Sequence, residues 1–179
     1  LMGNYAQAQH NLQAALDYFD AHADPIRQSR ITNVMGNLFW RQGQHDQALR
    51  YYRCALAITE EIGDRVYQSA IFGNIGIVYV EKSAFEKGLH YYQQALEIDS
   101  ALGNRAGIAR HTHNIARIYR LQGALQPALT YFQQALSIAE EMGMRRGVSL
   151  CVINIGIIHK EQGDYEQAVR NLRESLSIA

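Results

Sequence analysis

Histidine and cysteine are the side chains of this chain that could act as metal ligands or nucleophiles, so their spacing comes first. His111 and His113 form the closest histidine pair, but residues two apart on a helix project about 200° apart and cannot share one metal ion. Cys54 and Cys151 match no C-x-x-C or zinc spacing, which favours packing roles in a reducing compartment. We therefore expect no metal site and no thiol nucleophile.

Other signatures of catalysis or cofactor binding are also missing from the sequence. The chain has no G-x-S-x-G nucleophile elbow and no G-x-x-x-x-G-K-[ST] phosphate loop. The remaining histidines have no cysteine or carboxylate at ligand spacing; they are His10, His22, His45, His90 and His159. We expect no cofactor and no catalytic residue, and hence a role that is not enzymatic.

Asparagine is the side chain whose spacing indicates recognition rather than catalysis. Asn74, Asn114 and Asn154 recur every 40 residues. An amide side chain can donate to and accept from the main chain of an extended peptide. It could equally form a hydrogen bond between neighbouring units that sets their stacking, and both interpretations remain open.

The elements that carry these asparagines must repeat with the same period of 40 residues. Ala55-Leu56, Ala95-Leu96 and Ala135-Leu136 follow this period, and no insertion interrupts it. Apolar residues within a unit recur at helical spacing, so each unit is predicted to be a helical hairpin. In one unit these residues are Ile71, Ile75, Val78, Tyr79, Phe85, Leu89, Tyr92 and Leu96.

Turn and capping residues set the predicted helix ends. Within each hairpin one position suits a left-handed residue that ends the first helix. That position holds Gly43, Ser83, Gly123 and Gly163. Between units, Asp64 or Asn104 can cap the following helix, and Asp24-Pro25 does so at the first junction. The nine predicted helices span roughly residues 2–20, 25–42, 45–62, 65–82, 85–102, 105–122, 125–142, 145–162 and 165–179.

The units together predict a single repeat array over residues 1–179. It consists of a half unit 1–24, three units at 25–64, 65–104 and 105–144, and a shorter last unit 145–179. Because the last apolar face has no predicted cover, we expect the chain to be part of a larger protein, and the isolated segment to be able to associate end to end.

The pattern within a unit resembles the tetratricopeptide repeat. Its residues in the first full unit are Gly36, Phe39, Gly43, His45, Ala48, Tyr52 and Ala55. The 40-residue unit, with N-[IL]-G in the first helix and G-[DN]-R at the junction, is similar to the Pins/Leu-Gly-Asn adaptors. Long-helix repeats of bacterial peptide-sensing regulators, maltose-regulator-like transcription factors and kinesin light chain are also similar. The departures are Val34 in place of asparagine, His159 in place of an aromatic residue, and Leu12 and Leu172 in place of tyrosine.

This resemblance implies an all-α, right-handed superhelical solenoid of antiparallel hairpins whose first helices line a concave groove. Helical spacing then selects the side chains on that face. The expected groove residues are Arg30, Asn33, Asn37, Trp40, Arg41, Asn74, Ile77, Glu81, Arg110, His113, Asn114, Arg117, Arg120, Asn154 and Lys160. On the wider face that also includes Glu161, six cations meet two anions, so the groove is predicted to be basic.

A basic groove predicts that the chain binds an acidic or extended segment of another protein or peptide, because arginine grips a carboxylate with two parallel hydrogen bonds. Arginines on a helix face are commonly solvated, and Trp40 could be a packing residue rather than a peptide anchor. The alternative function is a regulatory or sensor array joined to a DNA-binding or enzymatic domain outside the segment. The residues flanking positions 1 and 179 in the gene would separate the two.

Composition narrows the partners and the location. Seventeen basic and seventeen acidic side chains cancel, so no net charge attracts the chain to nucleic acid or to an anionic membrane. No basic segment followed by an apolar run opens the chain, and no stretch approaches the roughly 20 apolar residues of a membrane span. We expect a cytoplasmic segment that binds neither nucleic acid nor membrane.

Overall fold

The computed structural model describes the backbone of residues 2–178 and the side chains of residues 5–177. This range contains nine α-helices and no strand, which confirms the predicted all-α fold. The helices are α1 (Met2–Ala21), α2 (Pro25–Arg41), α3 (His45–Glu61), α4 (Arg65–Glu81), α5 (Phe85–Ala101), α6 (Arg105–Leu121), α7 (Leu125–Glu141), α8 (Arg145–Glu161) and α9 (Tyr165–Ile178). Helices α2 to α8 end one residue before their predicted ends, because residues such as Gln42 and Gln122 are C-caps.

The hairpin turns depend on a residue with positive φ after the first helix. Gly43 has a φ of 72°, and the following Gln44 N–H donates to the Phe39 carbonyl oxygen at 2.9 Å. Glycine adopts this left-handed conformation without the steric cost of a Cβ. Ser83 holds the same position with a φ of 57°, so this hairpin turn forms without glycine.

Polar side chains cap α2, α4 and α6 as the sequence predicts, whereas Met144 at the start of α8 forms no side-chain cap. A side-chain oxygen of Asp24 accepts from the Arg27 N–H at 3.0 Å, and Asp64 accepts from the Tyr67 N–H at 3.0 Å. Asn104 accepts from the Gly107 N–H at 3.2 Å. Each cap satisfies a backbone donor that the helix cannot satisfy itself.

Stacked aromatic rings recur beside the hairpin turns. Three pairs join a first helix to the second helix of its hairpin with centroid distances of 5.1, 5.4 and 5.4 Å; they are Phe39–Tyr51, Tyr79–Tyr91 and Tyr119–Tyr131. Such rings bury a large apolar area and fix the approach of two helices. The last hairpin has no such pair among the described residues, since His159 and Asn171 stand at these positions.

The chain divides into two compact units, residues 1–91 and 92–179, and each has its own core. In the first unit α1, α2, α3 and α4 pack in order, and α2 also contacts α4. Its core includes Met35, Tyr52, Ile71, Ile75 and Val78. In the second unit α6, α7, α8 and α9 pack in order, and α6 contacts α8. Its core includes Ala116, Ala128, Phe132, Ile155 and Ile158.

Within residues 2–178, no helix is both long and apolar enough to cross a lipid bilayer.

Candidate functional site

The second unit contains a pocket of about 520 Å³ between the first helices α6 and α8, with the second helix α7 behind them. The lining side chains of α6 lie three or four residues apart, so they share one helical face. The pocket is lined by Ala106, Ala109, Arg110, His113, Asn114, Arg117, Ala135, Ala139, Met144, Arg146, Gly147, Leu150, Cys151 and Asn154. Four of these, Arg110, His113, Asn114 and Arg117, are predicted groove residues of α6.

Small residues open this pocket. Ala135 and Ala139 of α7 are buried at its back, and Ala109 of α6 is buried beside them. A Cβ added to Gly147 would lie 3.2 Å from the Ala139 Cβ, so α8 approaches α7 closely at this point. The pocket is therefore lined largely by apolar groups, and it is open enough to admit a side chain from outside.

Three arginines surround the pocket opening. Arg110, Arg117 and Arg146 are all exposed, and none forms an ion pair with a carboxylate in residues 5–177. Arg110 instead places Nη2 3.2 Å from Nε2 of His111. Three cations around an apolar pocket form a site suited to a ligand that is apolar in part and anionic in part.

His113 and Cys151 form the polar part of the pocket wall. His113 Nδ1 lies 3.5 Å from Cys151 Sγ, and the imidazole packs edge-on against Phe132 at 5.1 Å between centroids. Burial, and then the charge of Arg117, lower the pKa of His113 to about 4. Burial, and then the charge of Glu140, raise the pKa of Cys151 to about 11. At neutral pH the pair is an uncharged imidazole beside a thiol, which can form hydrogen bonds with a ligand.

A buried polar cluster lies behind Arg110. His111 Nε2 is 3.2 Å from Asp99 Oδ2, and both side chains are fully buried. Asn104 Nδ2 donates to the other carboxylate oxygen at 2.8 Å. Burial and the Arg110 charge lower the pKa of His111, while Asp99 opposes them. This cluster joins the end of α5 to the start of α6 and so fixes the helix that presents Arg110.

The predicted asparagine ladder is not uniform. Asn74 Nδ2 donates to Asn33 Oδ1 at 2.9 Å, which joins α4 to α2 as the stacking interpretation expects. Asn154 Nδ2 donates to the Leu150 carbonyl oxygen of its own helix at 2.8 Å. Asn154 also lines the pocket, as does Asn114. Only these last two are placed to contact a ligand in the pocket.

Most predicted groove residues of the first unit contact neighbouring side chains. Trp40 Nε1 donates to Glu81 Oε2 at 2.7 Å, and His45 Nε2 lies 3.1 Å from the same oxygen. Asn37 Oδ1 accepts from the Tyr52 hydroxyl at 2.7 Å. These contacts hold α2 to α3 and α4, so the side chains stabilise the stack.

The other groove residues of the first unit lie at its surface or between its helices. Arg30 is 3.3 Å from Asp64, which pairs its charge. Ile77 is half-buried. Arg41, Trp40 and Asn37 line a pocket of about 460 Å³ between α1 and α2, together with Ala8, Leu12, Val34 and Leu38.

Two predicted cations of the second unit lie outside the pocket lining. Arg120 forms an ion pair with Glu161 at 2.9 Å and is only 20% exposed. Lys160 is exposed on α8. The pocket is therefore narrower than the predicted basic stripe, which extended to Arg120 and Lys160.

Sequence reasoning missed Arg146, Gly147 and Cys151. Arg146 precedes Leu150 and Asn154 by four and eight residues, which places all three on one helical face. Extending the stripe backwards from Asn154 would have found the arginine. Nothing in the sequence alone shows that Cys151 borders a pocket rather than the core. Residues 5–177 contain no group of three histidine, cysteine or carboxylate side chains that could hold a metal ion.

Sequence profiles of the tetratricopeptide repeat match residues 1–61, 27–101 and 67–141, and a second profile of the same repeat matches residues 150–179. No curated protein matches the chain significantly. These matches cover nearly the whole chain, including α6 and α7 in full and α8 from residue 150 onward.

Solved structures share this fold. BtubC (BKLC) from P. vanneervenii is 25% identical, with a TM-score of 0.84 over 99% of this chain and 74% of that chain. Aspartyl phosphate phosphatase F from Bacillus subtilis is 18% identical, with a TM-score of 0.81 over 87% of this chain and 41% of that chain. The Rap conjugation gene regulator of plasmid pLS20, in complex with the Phr* peptide, is 19% identical, with a TM-score of 0.77 over 89% and 44%. The chain thus spans less than half the length of the last two proteins.

Proposed function

Because the chain belongs to the tetratricopeptide repeat family, whose members are protein and peptide interaction modules, we propose that it binds an acidic, extended segment of another protein or peptide between α6 and α8. The solved structure of the pLS20 regulator, which shares this fold over part of its length, is a complex with the Phr* peptide, and this supports the proposal. At 19% identity that complex supports the general mode of binding and no particular residue.

One observation carries the proposal: the three arginines around the pocket have no carboxylate partner in residues 5–177. Arg30 on the equivalent first helix α2, and Arg120 farther along α6 itself, are each paired with an acidic residue. Unpaired guanidinium groups that converge on one opening can bind carboxylates with paired hydrogen bonds. Asn114 and Asn154 can supply amide contacts to the main chain of the same ligand.

The test compares an acidic peptide with its neutral counterpart. We choose the acetylated, amidated octapeptides EADAGAEA and QANAGAQA, titrated into the ¹⁵N-labelled chain and followed by NMR. The acidic peptide should bind more tightly, and its affinity should fall with added salt because exposed charges are screened. Equal binding of both peptides, or binding unaffected by salt, would contradict the proposal.

A charge-reversal variant locates the binding. Arg110→Glu combined with Arg117→Glu should weaken binding of EADAGAEA about tenfold or more, because two attractive contacts become repulsive. Arg170→Glu combined with Arg173→Glu, both exposed on α9 outside the pocket, makes the same change in net charge and should leave the affinity nearly unchanged. A folded double variant that retains full affinity would place the binding elsewhere.

We also propose that the segment is not catalytic. The uncharged His113 and the protonated Cys151 thiol support this, since a nucleophilic cysteine needs a thiolate. Turnover in a broad hydrolase and phosphatase screen would overturn it.

A regulatory or sensor array is the second candidate function. It is favoured by the longer solved structures that share the fold, one named a phosphatase and one a gene regulator. In this case the peptide-binding segment would transmit a signal to a domain outside it. The full gene product decides between them: an adjoining helix-turn-helix or catalytic domain supports the second candidate, and its absence supports an adaptor.

A further inference from the structure

In the first unit, the Tyr67 side chain occupies the place that corresponds to the pocket of the second unit. Tyr67 of α4 lies against α2, with the Arg30 guanidinium carbon 4.3 Å from its ring centroid. Burial raises the pKa of the Tyr67 hydroxyl, and a hydrogen bond with Asn33 opposes this rise. Asp64, three residues earlier, pairs with the same guanidinium group at 3.3 Å. Arg30 thus binds an aromatic ring and a carboxylate from one short segment.

The equivalent positions of the second unit, two periods later, keep the arginine but have neither the aromatic ring nor the carboxylate. Two periods after Arg30 and Asn33 stand Arg110 and His113, and both line the pocket. Two periods after Asp64 and Tyr67 stand Met144 and Gly147, which also line it. Arg110 therefore retains the position of Arg30 but has neither the ring nor the carboxylate.

Gly147 differs from the intervening glycine of the period. A Cβ at Gly107 would lie 2.0 Å from Asp99 Oδ2, so the buried carboxylate occupies that space. At Gly147 the nearest heavy atoms would be the Ala139 Cβ at 3.2 Å and the Met144 Cβ at 3.5 Å, and all three residues line the pocket of about 520 Å³. The room for a ring exists at Gly147 and is already occupied at Gly107.

We propose that this pocket is specific for an aromatic side chain of the partner peptide, with a neighbouring carboxylate bound to the arginines. The ring lies on Arg110 as Tyr67 lies on Arg30, and the carboxylate replaces Asp64. A ring and a cation in this geometry attract each other, and burial of the ring removes apolar surface from water. The inference rests on the proposed function and adds its side-chain specificity.

A peptide comparison on the unaltered chain tests the inference. The octapeptide EADAGYEA places aspartate three residues before tyrosine, as Asp64 precedes Tyr67. Its affinity should exceed that of EADAGAEA by about tenfold or more, because only EADAGYEA buries a ring against Arg110. Equal affinity of these two peptides overturns the inference. If both still bind better than QANAGAQA, the proposed function stands.

A variant of the protein tests the location. Gly147→Tyr supplies the ring from within and should abolish the preference for EADAGYEA while leaving the weaker binding of EADAGAEA. Gln133→Tyr, which adds the same ring on the exposed side of α7, should keep the preference. Tyr67 and Thr59 stand two periods before Gly147 and Ala139. The first unit thus accommodates a tyrosine beside a residue larger than alanine.

A second variant tests the location of the aromatic pocket even if Gly147→Tyr does not fold. Ala106→Ile narrows the pocket with the residue that the repeat carries at Ile26, and it should weaken the tyrosine preference. An unchanged preference in both folded variants overturns the location. Free N-acetyltyrosine carries a ring and a carboxylate without a peptide; if it binds as tightly as EADAGYEA, the assignment to a peptide is wrong.

Discussion

His113 and Cys151 are adjacent in the pocket, yet their surroundings keep both uncharged at neutral pH. The pKa of His113 is lowered to about 4 and that of Cys151 is raised to about 11, with burial as the main cause in each case. Burial disfavours both charged forms, the imidazolium of His113 and the thiolate of Cys151. The three arginines thus provide the charge of the site, and this pair provides hydrogen bonds and apolar surface.

The lowered pKa of His113 predicts a loss of stability in acid. An unfolded histidine binds a proton near pH 6.5, whereas folded His113 resists it until about pH 4. Between these values the unfolded state binds more protons, so the free energy of unfolding falls as the pH decreases, by about 2 kcal/mol at pH 4.5 from this residue. Urea unfolding at pH 7 and pH 4.5 should show a loss that is smaller by this amount in His113→Gln. An equal loss in both proteins would contradict the assignment.

The predictability of the site differs between residues of the same kind. Arg117 and Arg120 lie on one predicted stripe, but only Arg117 lines the pocket, while Arg120 pairs with Glu161. Helical spacing places both on one face of α6. It does not specify how the following first helix is rotated, and this rotation decides which arginine meets a carboxylate.

Several side-chain hydrogen bonds between neighbouring first helices join residues 41 positions apart rather than 40, whereas His113 and Cys151 are 38 apart. The pairs that are 41 positions apart are Asn33–Asn74, Trp40–Glu81 and Arg120–Glu161. Helix number, order, turns and caps were predictable because they depend on local residue types and periodicity. The pairing between units was not, because it arises from the offset of one hairpin against the next.

Close packing within a hairpin predicts different responses at equivalent glycines. A Cβ at Gly36 would lie 2.5 Å from Cε1 of the buried Tyr52, whose hydroxyl is held by Asn37 at 2.7 Å. At Gly156 the nearest atom is the Asn171 Cβ at 3.2 Å. Alanine gains about 1 kcal/mol in helix propensity, but overpacking costs about 1–3 kcal/mol. Thermal and urea unfolding should show Gly36→Ala destabilised and Gly156→Ala nearly neutral.

A double variant checks the cause of the Gly36 effect. Ala116 and Phe132 occupy the equivalent positions in the second unit, where the ring has no hydroxyl. Tyr52→Phe releases the ring from Asn37, so Gly36→Ala should cost less in that background. The same cost in both backgrounds would mean that the hydroxyl does not hold the ring in place.

An exposed apolar stripe follows one face of α9 at the scale of the whole chain. Tyr165, Val169, Leu172 and Leu176 lie four, three and four residues apart and are 66%, 44%, 40% and 78% exposed. Contiguous exposed apolar residues favour association with another apolar surface. The isolated chain is therefore expected to self-associate through α9.

Light scattering over a range of concentrations measures this association. Val169→Glu with Leu176→Glu should shift the isolated chain toward monomer, because buried charges oppose the contact. Gln133→Glu, on the exposed side of α7, should leave the association unchanged. A chain that is strictly monomeric at high concentration would contradict the expectation.

Met144 and Gly147 stand in the second unit where the first unit has Asp64 and Tyr67, and this difference bears on how repeat arrays come to bind partners. Duplication of a repeat copies a guanidinium group together with the two side chains that satisfy it. Where one copy holds those two side chains and the other does not, the second copy keeps an arginine beside an open space, and the first copy indicates which chemical groups fit that space. A binding site can thus arise in a repeat that lacks two side chains, and the equivalent side chains of the other repeat indicate what its ligand resembles.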